Sequence, residues 1–124
     1  MKISAAIILK DRSILLVRRH KQEGTLLWQF PAGNVENGES TAEAAIRETF
    51  EEANIICKSV KKLGKRVHPQ TNVEMHYWHC EYLSGEPMTN DVEIEEAIWC
   101  PIENIKDYIK SDIFLPVQTF LSKF

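Results

Sequence analysis

The first residues set a two-residue period. From Lys2 to Lys10, Ile3, Ala5, Ile7 and Leu9 alternate with Ile8 on the other face, which predicts a largely buried strand. Asp11-Arg12 predicts a turn, and Ser13 to Arg19 a second strand running back. Glu23-Gly24-Thr25 reads as a turn and Leu26 to Phe30 as a short strand. Then the period changes. Ser40, followed three positions later by Glu43, is a capping-box helix start, and Asn54 is a left-handed stop. At about 100° per residue, Ala42, Ala45, Ile46, Thr49, Phe50 and Ala53 fall on one side, expected to face a core. Glu48, Glu51 and Glu52 fall together on the other.

Beyond the helix, alternation returns. Ile55 to Leu63 predicts a strand with Lys58, Lys61 and Lys62 exposed, after which residues 65–68 lead into a turn-rich stretch at 69–72. Val73 to Tyr82 is a strand with Val73, Met75, Tyr77 and His79 on one face and Glu74, His76, Trp78 and Cys80 on the other. That alternation puts His76 and His79 on opposite sides, so they are not a chelating pair. Gly85-Glu86-Pro87 turns the chain, and an acidic run from Asp91 to Glu96 enters a strand around Ile98 and Trp99. Pro101 to Ile109 and Leu115 to Phe124 read as helices, the second with Pro116 in its first turn.

Composition narrows the class. The 124 residues, 44% hydrophobic and 27% charged, suit one soluble domain over residues 1–124 with a single core. No apolar run approaches the roughly 20 residues of a membrane span. The opening MKISAAIILK has no small-residue cleavage site and reads as strand, not as a signal peptide. Cys57, Cys80 and Cys100 are odd in number and widely spaced, which argues against a disulfide framework and fits a reducing cytoplasm. The formal charge of −3 gives no reason to expect binding to long nucleic acid.

The chemistry concentrates between Pro31 and Ile55. Carboxylates at Glu48, Glu51 and Glu52 are helix neighbours that repel one another, a poor arrangement for stability alone. Around a divalent cation they make sense, because hard cations take oxygen ligands. A solvated acidic face is the plain alternative, and the loop in front decides between them. Gly33, five residues, Glu39, seven residues, then Arg47-Glu48-x-x-Glu51-Glu52 resembles the box of the Nudix hydrolases, whose fixed positions cover most of a 23-residue motif. Phe30-Pro31-Ala32-Gly33 is similar to the family's Pro-Gly-Gly lead-in, with Ala for one Gly. Thr49 and Asn54 depart from the pattern, standing for an aliphatic residue and the closing glycine. Thr49 still fits a buried face if its hydroxyl bonds the preceding turn.

The resemblance implies an α/β fold, an α/β/α sandwich around a mixed β-sheet, and hydrolysis of a phosphoanhydride in a nucleoside diphosphate-linked substrate. It implies Mg²⁺, with Mn²⁺ as the alternative, held by Glu51, Glu52 and the Ala32 carbonyl, with Glu48 either a further ligand or the general base and with Arg47 and Glu39 orienting the carboxylates through a salt bridge. Glu48 and Glu93 are rival candidates for the general base. Arg18 or Arg19, in the basic patch ending the second strand, would contact phosphate, since an arginine fork suits phosphate oxygens. Trp28 reads as core in preference to pocket wall. The compact chain resembles MutT-like enzymes, which convert a nucleoside triphosphate, oxidised or ordinary, to a monophosphate and pyrophosphate. ADP-ribose, nucleotide sugars and dinucleoside polyphosphates are further candidates, and a non-catalytic nucleotide sensor is the reading from another class. Monomer and homodimer are both compatible with the family.

Overall fold

Strand β1 (Lys2–Lys10) turns at Asp11-Arg12 into β2 (Ser13–His20). Both turn residues have positive φ, 49° and 64°, and Lys10 pairs with Ser13, the geometry of a two-residue hairpin whose twist matches its strands. The structure, a computed structural model, describes residues 1–20, 26–69, 72–89 and 91–124, with the side chain of Leu26 excepted. The turn expected at 23–25, and residues 70 and 71 of the expected loop, lie outside the described residues.

The hairpin opens into a fork. β1 and β2 share only the rungs Leu9–Ile14 and Lys10–Ser13. Beyond them β3 (Leu26–Gln29) pairs with β2 and β4 (Ala32–Asn34) with β1, both antiparallel. On their outer sides β7 (Ile94–Pro101) runs antiparallel to β2. β6 (Glu74–Ser84) runs parallel to β1, and β5 (Ile56–Val67) closes that edge. The sheet is therefore mixed. Ala6, Ile8, Leu15, Val17, Cys57 and Cys80 pack under α1 (Thr41–Ala53) on one face. Ala5, Ile7, Ile14, Leu16 and Tyr77 pack on the other under α2 (Ile105–Tyr108) and α3 (Leu115–Leu121). Helices on both faces make the α/β/α sandwich, and β1 and β2 are apolar on both sides because both are covered. No helix among the described residues is long and apolar enough to cross a membrane.

Several boundaries differ from the sequence expectation. Residues 65–67 stay in β5, because Lys65, Arg66 and Val67 keep pairing with His76, Met75 and Glu74. Pro101 ends β7, and a 3₁₀ turn (Ile102–Asn104) precedes the single turn of α2. α3 stops at Leu121, short of Phe124. The buried side of α1 is also rotated: Phe50 is 52% exposed while Glu52 is 2% exposed. A pure hydrophobic count assigns these two the other way round. The three cysteines are free and buried. Trp28 is half-buried against the α2–α3 core, edge-on to Tyr108 at 5.2 Å.

Candidate active site

Helix α1 is fixed at both ends before it presents any carboxylate. Ser40 Oγ accepts from the Glu43 amide at 3.0 Å, and Glu43 accepts from the Ser40 amide at 2.8 Å, the reciprocal capping box. Asn54 stops the helix in the left-handed region, φ 61° and ψ 28°. Thr49 donates to the Ala45 carbonyl at 2.7 Å, which satisfies its hydroxyl inside the helix. Ser4 Oγ donates to the Thr41 carbonyl at 2.6 Å, and the Trp78 indole N–H donates to Thr41 Oγ1 at 2.9 Å. These bonds set the rotation of α1 on the sheet. Glu52 consequently points inward and Arg47, Glu48 and Glu51 lie along the margin.

Arg47 is the hub. Its Nε donates to Glu39 Oε2 at 2.7 Å and its Nη2 to Glu39 Oε1 at 3.0 Å, a bidentate clamp. Nη1 donates to Glu48 at 2.8 Å and to Glu51 at 3.1 and 3.2 Å, and Nη2 also reaches the Asn34 carbonyl at 2.9 Å. Glu48 lies so close over Gly33 that a Cβ there would run into its carboxylate. A side chain at 33 would therefore displace the Glu48 carboxylate, although Gly33 does not have a positive φ.

Glu52 is held separately. Its Oε1 accepts from the Ala32 amide at 3.1 Å, and its Oε2 accepts from Arg19 Nη2. The same Nη2 donates to the Ala32 carbonyl at 3.0 Å, and Nη1 lies 3.5 Å from Glu93. Arg19 reaches this point because it follows Leu15 and Val17 onto the face that α1 covers. Arg18 takes the opposite face, where its guanidinium stands 5.8 Å from the Trp28 ring. The buried Arg18 Nε has no hydrogen-bond partner among the described residues. The backbone bond from His20 to the Glu93 carbonyl, 2.9 Å, brings Glu93 to the end of β2.

Burial and charge pull the carboxylates apart in acidity. Burial raises Glu52 to about 7, against the lowering effect of Arg19. Burial likewise raises Glu48, with Arg47 opposing it. Glu39 is lowered to about 2, chiefly by its hydrogen bonds from Arg47. A carboxyl raised by burial is the signature of a functional position more than of a stabilising one.

The expected converging trio is not gathered on one point. Among the described residues no three His, Cys, Asp or Glu side chains stand close enough together to hold a metal ion. Arg47 draws Glu48 and Glu51 to one side, and Arg19 holds Glu52 on the other. The donor set nevertheless fits a hard cation: four oxygens from Glu48, Glu51, Glu52 and the Ala32 carbonyl. Arg19 already puts a positive group on two of them.

The site opens on a cavity of about 580 Å³. Arg19, Ala32, Gly33, Glu48, Glu52 and Glu93 line its charged part; Arg18 is not among the lining residues. Met75, Tyr77 and Phe114 form an apolar and aromatic wall elsewhere in it, beside Arg66, His68 and Asp112. Tyr77 and Phe114 stack with centroids 5.0 Å apart, and Gly64, at φ 152°, leaves the room that Phe114 fills. Arg66 lies over both rings and donates to Tyr77 Oη at 3.4 Å and to the Asp112 carboxylate.

Residues 1–117 match the family model of the NUDIX domain. The chain belongs to the Nudix family. It is 28% identical to the CTP pyrophosphohydrolase of Escherichia coli K12 over 94% of this chain and 87% of that protein. It is 32% identical to an NAD-capped RNA hydrolase of Pseudomonas fluorescens over 73% of this chain and 33% of that protein. It spans 30% to 60% of the length of other curated relatives that it matches. A Nudix hydrolase structure from Nitrosomonas europaea superposes with a TM-score of 0.82 over 98% of this chain and 88% of that one, at 21% identity, which confirms the fold. Within this Nudix chain, Arg66, Asp112 and Phe114 are cavity residues that sequence reasoning missed, whereas Tyr77, read as sheet packing or a base contact, lines the cavity. Arg66 and Asp112 are 46 residues apart, and no local spacing links them.

Proposed function

We propose that this Nudix domain hydrolyses a phosphoanhydride bond of a nucleoside triphosphate, releasing a nucleoside monophosphate and pyrophosphate in a reaction that depends on Mg²⁺ or Mn²⁺. The observation that carries the reading is the Arg47 clamp: one guanidinium orders Glu39, Glu48 and Glu51 beside Gly33, while Glu52 is buried on the same cavity. Nudix hydrolases generally use divalent cations. Glu48, Glu51, Glu52 and the Ala32 carbonyl would hold the cation, which supplies charge neutralisation of the diphosphate and a more acidic bound water.

The residues themselves do the rest. Arg47 and Glu39 orient the carboxylates. Arg19 presents its fork to phosphate oxygens, in place of Arg18, which is turned away. Glu48 accepts the proton of the attacking water; burial already raises its pKa toward the working range of a general base. Glu93, with its side chain 70% exposed on the rim and paired with Arg19, is less suited to that task. Tyr77, Phe114 and Met75 offer an apolar and aromatic wall for the nucleoside. The name of the Escherichia coli relative, which spans nearly the whole chain, supports a nucleoside triphosphate.

The test is pyrophosphate and phosphate release with Mg²⁺ across CTP and the other NTPs and dNTPs, 8-oxo-dGTP, ADP-ribose and diadenosine polyphosphates. Pyrophosphate from a triphosphate, absent with Glu52→Gln, is the expected result. Cleavage confined to ADP-ribose or a dinucleotide would move the substrate class, and binding without cleavage would make the domain a sensor.

A further inference from the structure

The two arginines of the site are used differently. Arg47 also touches oxygens of the donor set, those of Glu48 and Glu51, but two bonds to Glu39 and one to the Asn34 carbonyl anchor it in place. Arg19 makes three bonds, and two of them are to oxygens that a metal would need, Glu52 Oε2 and the Ala32 carbonyl. The third, from Nη1 to Glu93 at 3.5 Å, is long and lies at the exposed rim. Glu52 does not need the arginine for its position, because the Ala32 amide already fixes its other oxygen at 3.1 Å. So the arginine can leave without unseating the carboxylate, and a second acidic partner stands next to its path out.

We propose that Arg19 is a displaceable internal counter-cation: it occupies the Glu52–Ala32 oxygen pair until a divalent cation takes those oxygens, and it then swings to the Glu93 rim, where its fork is available to substrate phosphate. This rests on the metal-dependent reading of the site and goes beyond it. On the same two oxygens a guanidinium and a divalent ion repel one another at close range, so each disfavours the other there. Arg19 therefore lowers the cation's apparent affinity by the fraction of molecules in which it holds the pair. Substrate phosphate captures the released arginine and so raises cation affinity, and by linkage the cation raises affinity for phosphate. The chain gains an ordered assembly: the phosphate-binding arginine becomes available when the cation is in place.

The test is a Mn²⁺ titration of the whole chain without nucleotide, followed by calorimetry and by the paramagnetic resonance of free Mn²⁺. Arg19→Ala should bind Mn²⁺ about tenfold more tightly than the parent, as expected when an internal competitor is removed. Arg18→Ala, which deletes the same charge one residue away on the opposite face, serves as the control for simple electrostatics and should stay within about threefold of the parent. Equal or weaker binding in Arg19→Ala overturns the proposal, as does an equal gain in Arg18→Ala. If neither the parent nor a variant binds Mn²⁺, the metal-dependent reading falls and takes the proposal with it. If Arg19→Ala does not fold, ¹⁵N-arginine spectra of the parent decide, with the Arg19 signal assigned by its loss in Arg19→Lys. Addition of Mg²⁺ should shift that signal and speed exchange of its N–H protons; an unmoved, protected signal overturns the proposal.

Discussion

The charged and aromatic parts of the cavity are built in opposite ways. The charged part comes almost entirely from one run of chain, residues 31–52, with Arg19 and Glu93 added from strand ends. Its geometry is over-determined: two caps, two bonds from the sheet to Thr41, and a six-bond arginine hub. The aromatic part is assembled from β5 and β6, which an antiparallel ladder joins, and the segment between α2 and α3, which the Arg66–Asp112 pair ties to β5. A rigid charged part suits chemistry that must be the same for every substrate. A wall drawn from distant parts of the chain suits recognition, which varies. Substitutions in the two parts should therefore fail differently, the first in turnover and the second in affinity.

The largest effect is expected at Glu52. Glu52→Gln keeps the shape of the buried side chain and its bond to the Ala32 amide, so the fold should survive with native circular dichroism. Hydrolysis should fall by about a thousandfold or more, because a metal-binding charge is lost. Loss of soluble protein in parallel would make Glu52 a structural position. The rival bases come next. Glu48→Gln should lower kcat by about a hundredfold or more, in the range of a lost general base, and Glu93→Gln by less than about tenfold. The reverse order would reassign the proton acceptor to the rim.

Arg47→Ala should cost about 10- to 100-fold in turnover, since residues that orient metal-binding carboxylates carry effects of that size. Unchanged kinetics at saturating Mg²⁺ would leave the hub a matter of stability alone. In the aromatic part, Phe114→Ala should raise KM about tenfold with kcat nearly constant, the pattern of binding lost equally from ground and transition states. A drop in kcat of the same size would mean that the two parts are not separable.

How much of this was readable from sequence follows the same division. The caps at Ser40 and Asn54 were legible because each is a local rule at a fixed spacing, and the Arg47–Glu39 pair because the resemblance to the Nudix box implies it. The inward turn of Glu52 was not, because it depends on how Ser4 and Trp78, from two other strands, seat the helix. Periodicity put Phe50 in the core for the same reason: it measures apolar content and not the pull of a buried carboxylate on an arginine. Arg18 and Arg19 were indistinguishable until alternation along β2 was anchored to a face. The Arg66–Asp112 tie and the Tyr77–Phe114 stack join residues that no motif connects. The cavity wall that they form was the least legible part.

The smallest expected effect separates the two halves of the charged part itself, through the pH dependence of stability in the metal-free protein. Burial lifts Glu52 from an ordinary 4.5 to about 7. Its folded form thus holds a proton that the unfolded chain has released, and stability should rise as pH falls from about 7 to about 4.5. Arg47 lowers Glu39 from 4.5 to about 2. That stabilisation is complete above pH 4.5 and is lost as pH falls toward 2. Each shift corresponds to at most about 3 kcal/mol at about 1.4 kcal/mol per pH unit. Partial exposure of Arg47 and Glu39 brings the second nearer to 1–2 kcal/mol. Chemical denaturation in the presence of a chelator should therefore show the two contributions as differences between each variant and the parent, one above pH 4.5 and one below it. Glu52→Gln should flatten the pH dependence above it and Glu39→Gln that below it. If either variant removes both, the two carboxylates titrate as one network, and Arg19 and Arg47 are not independent supports.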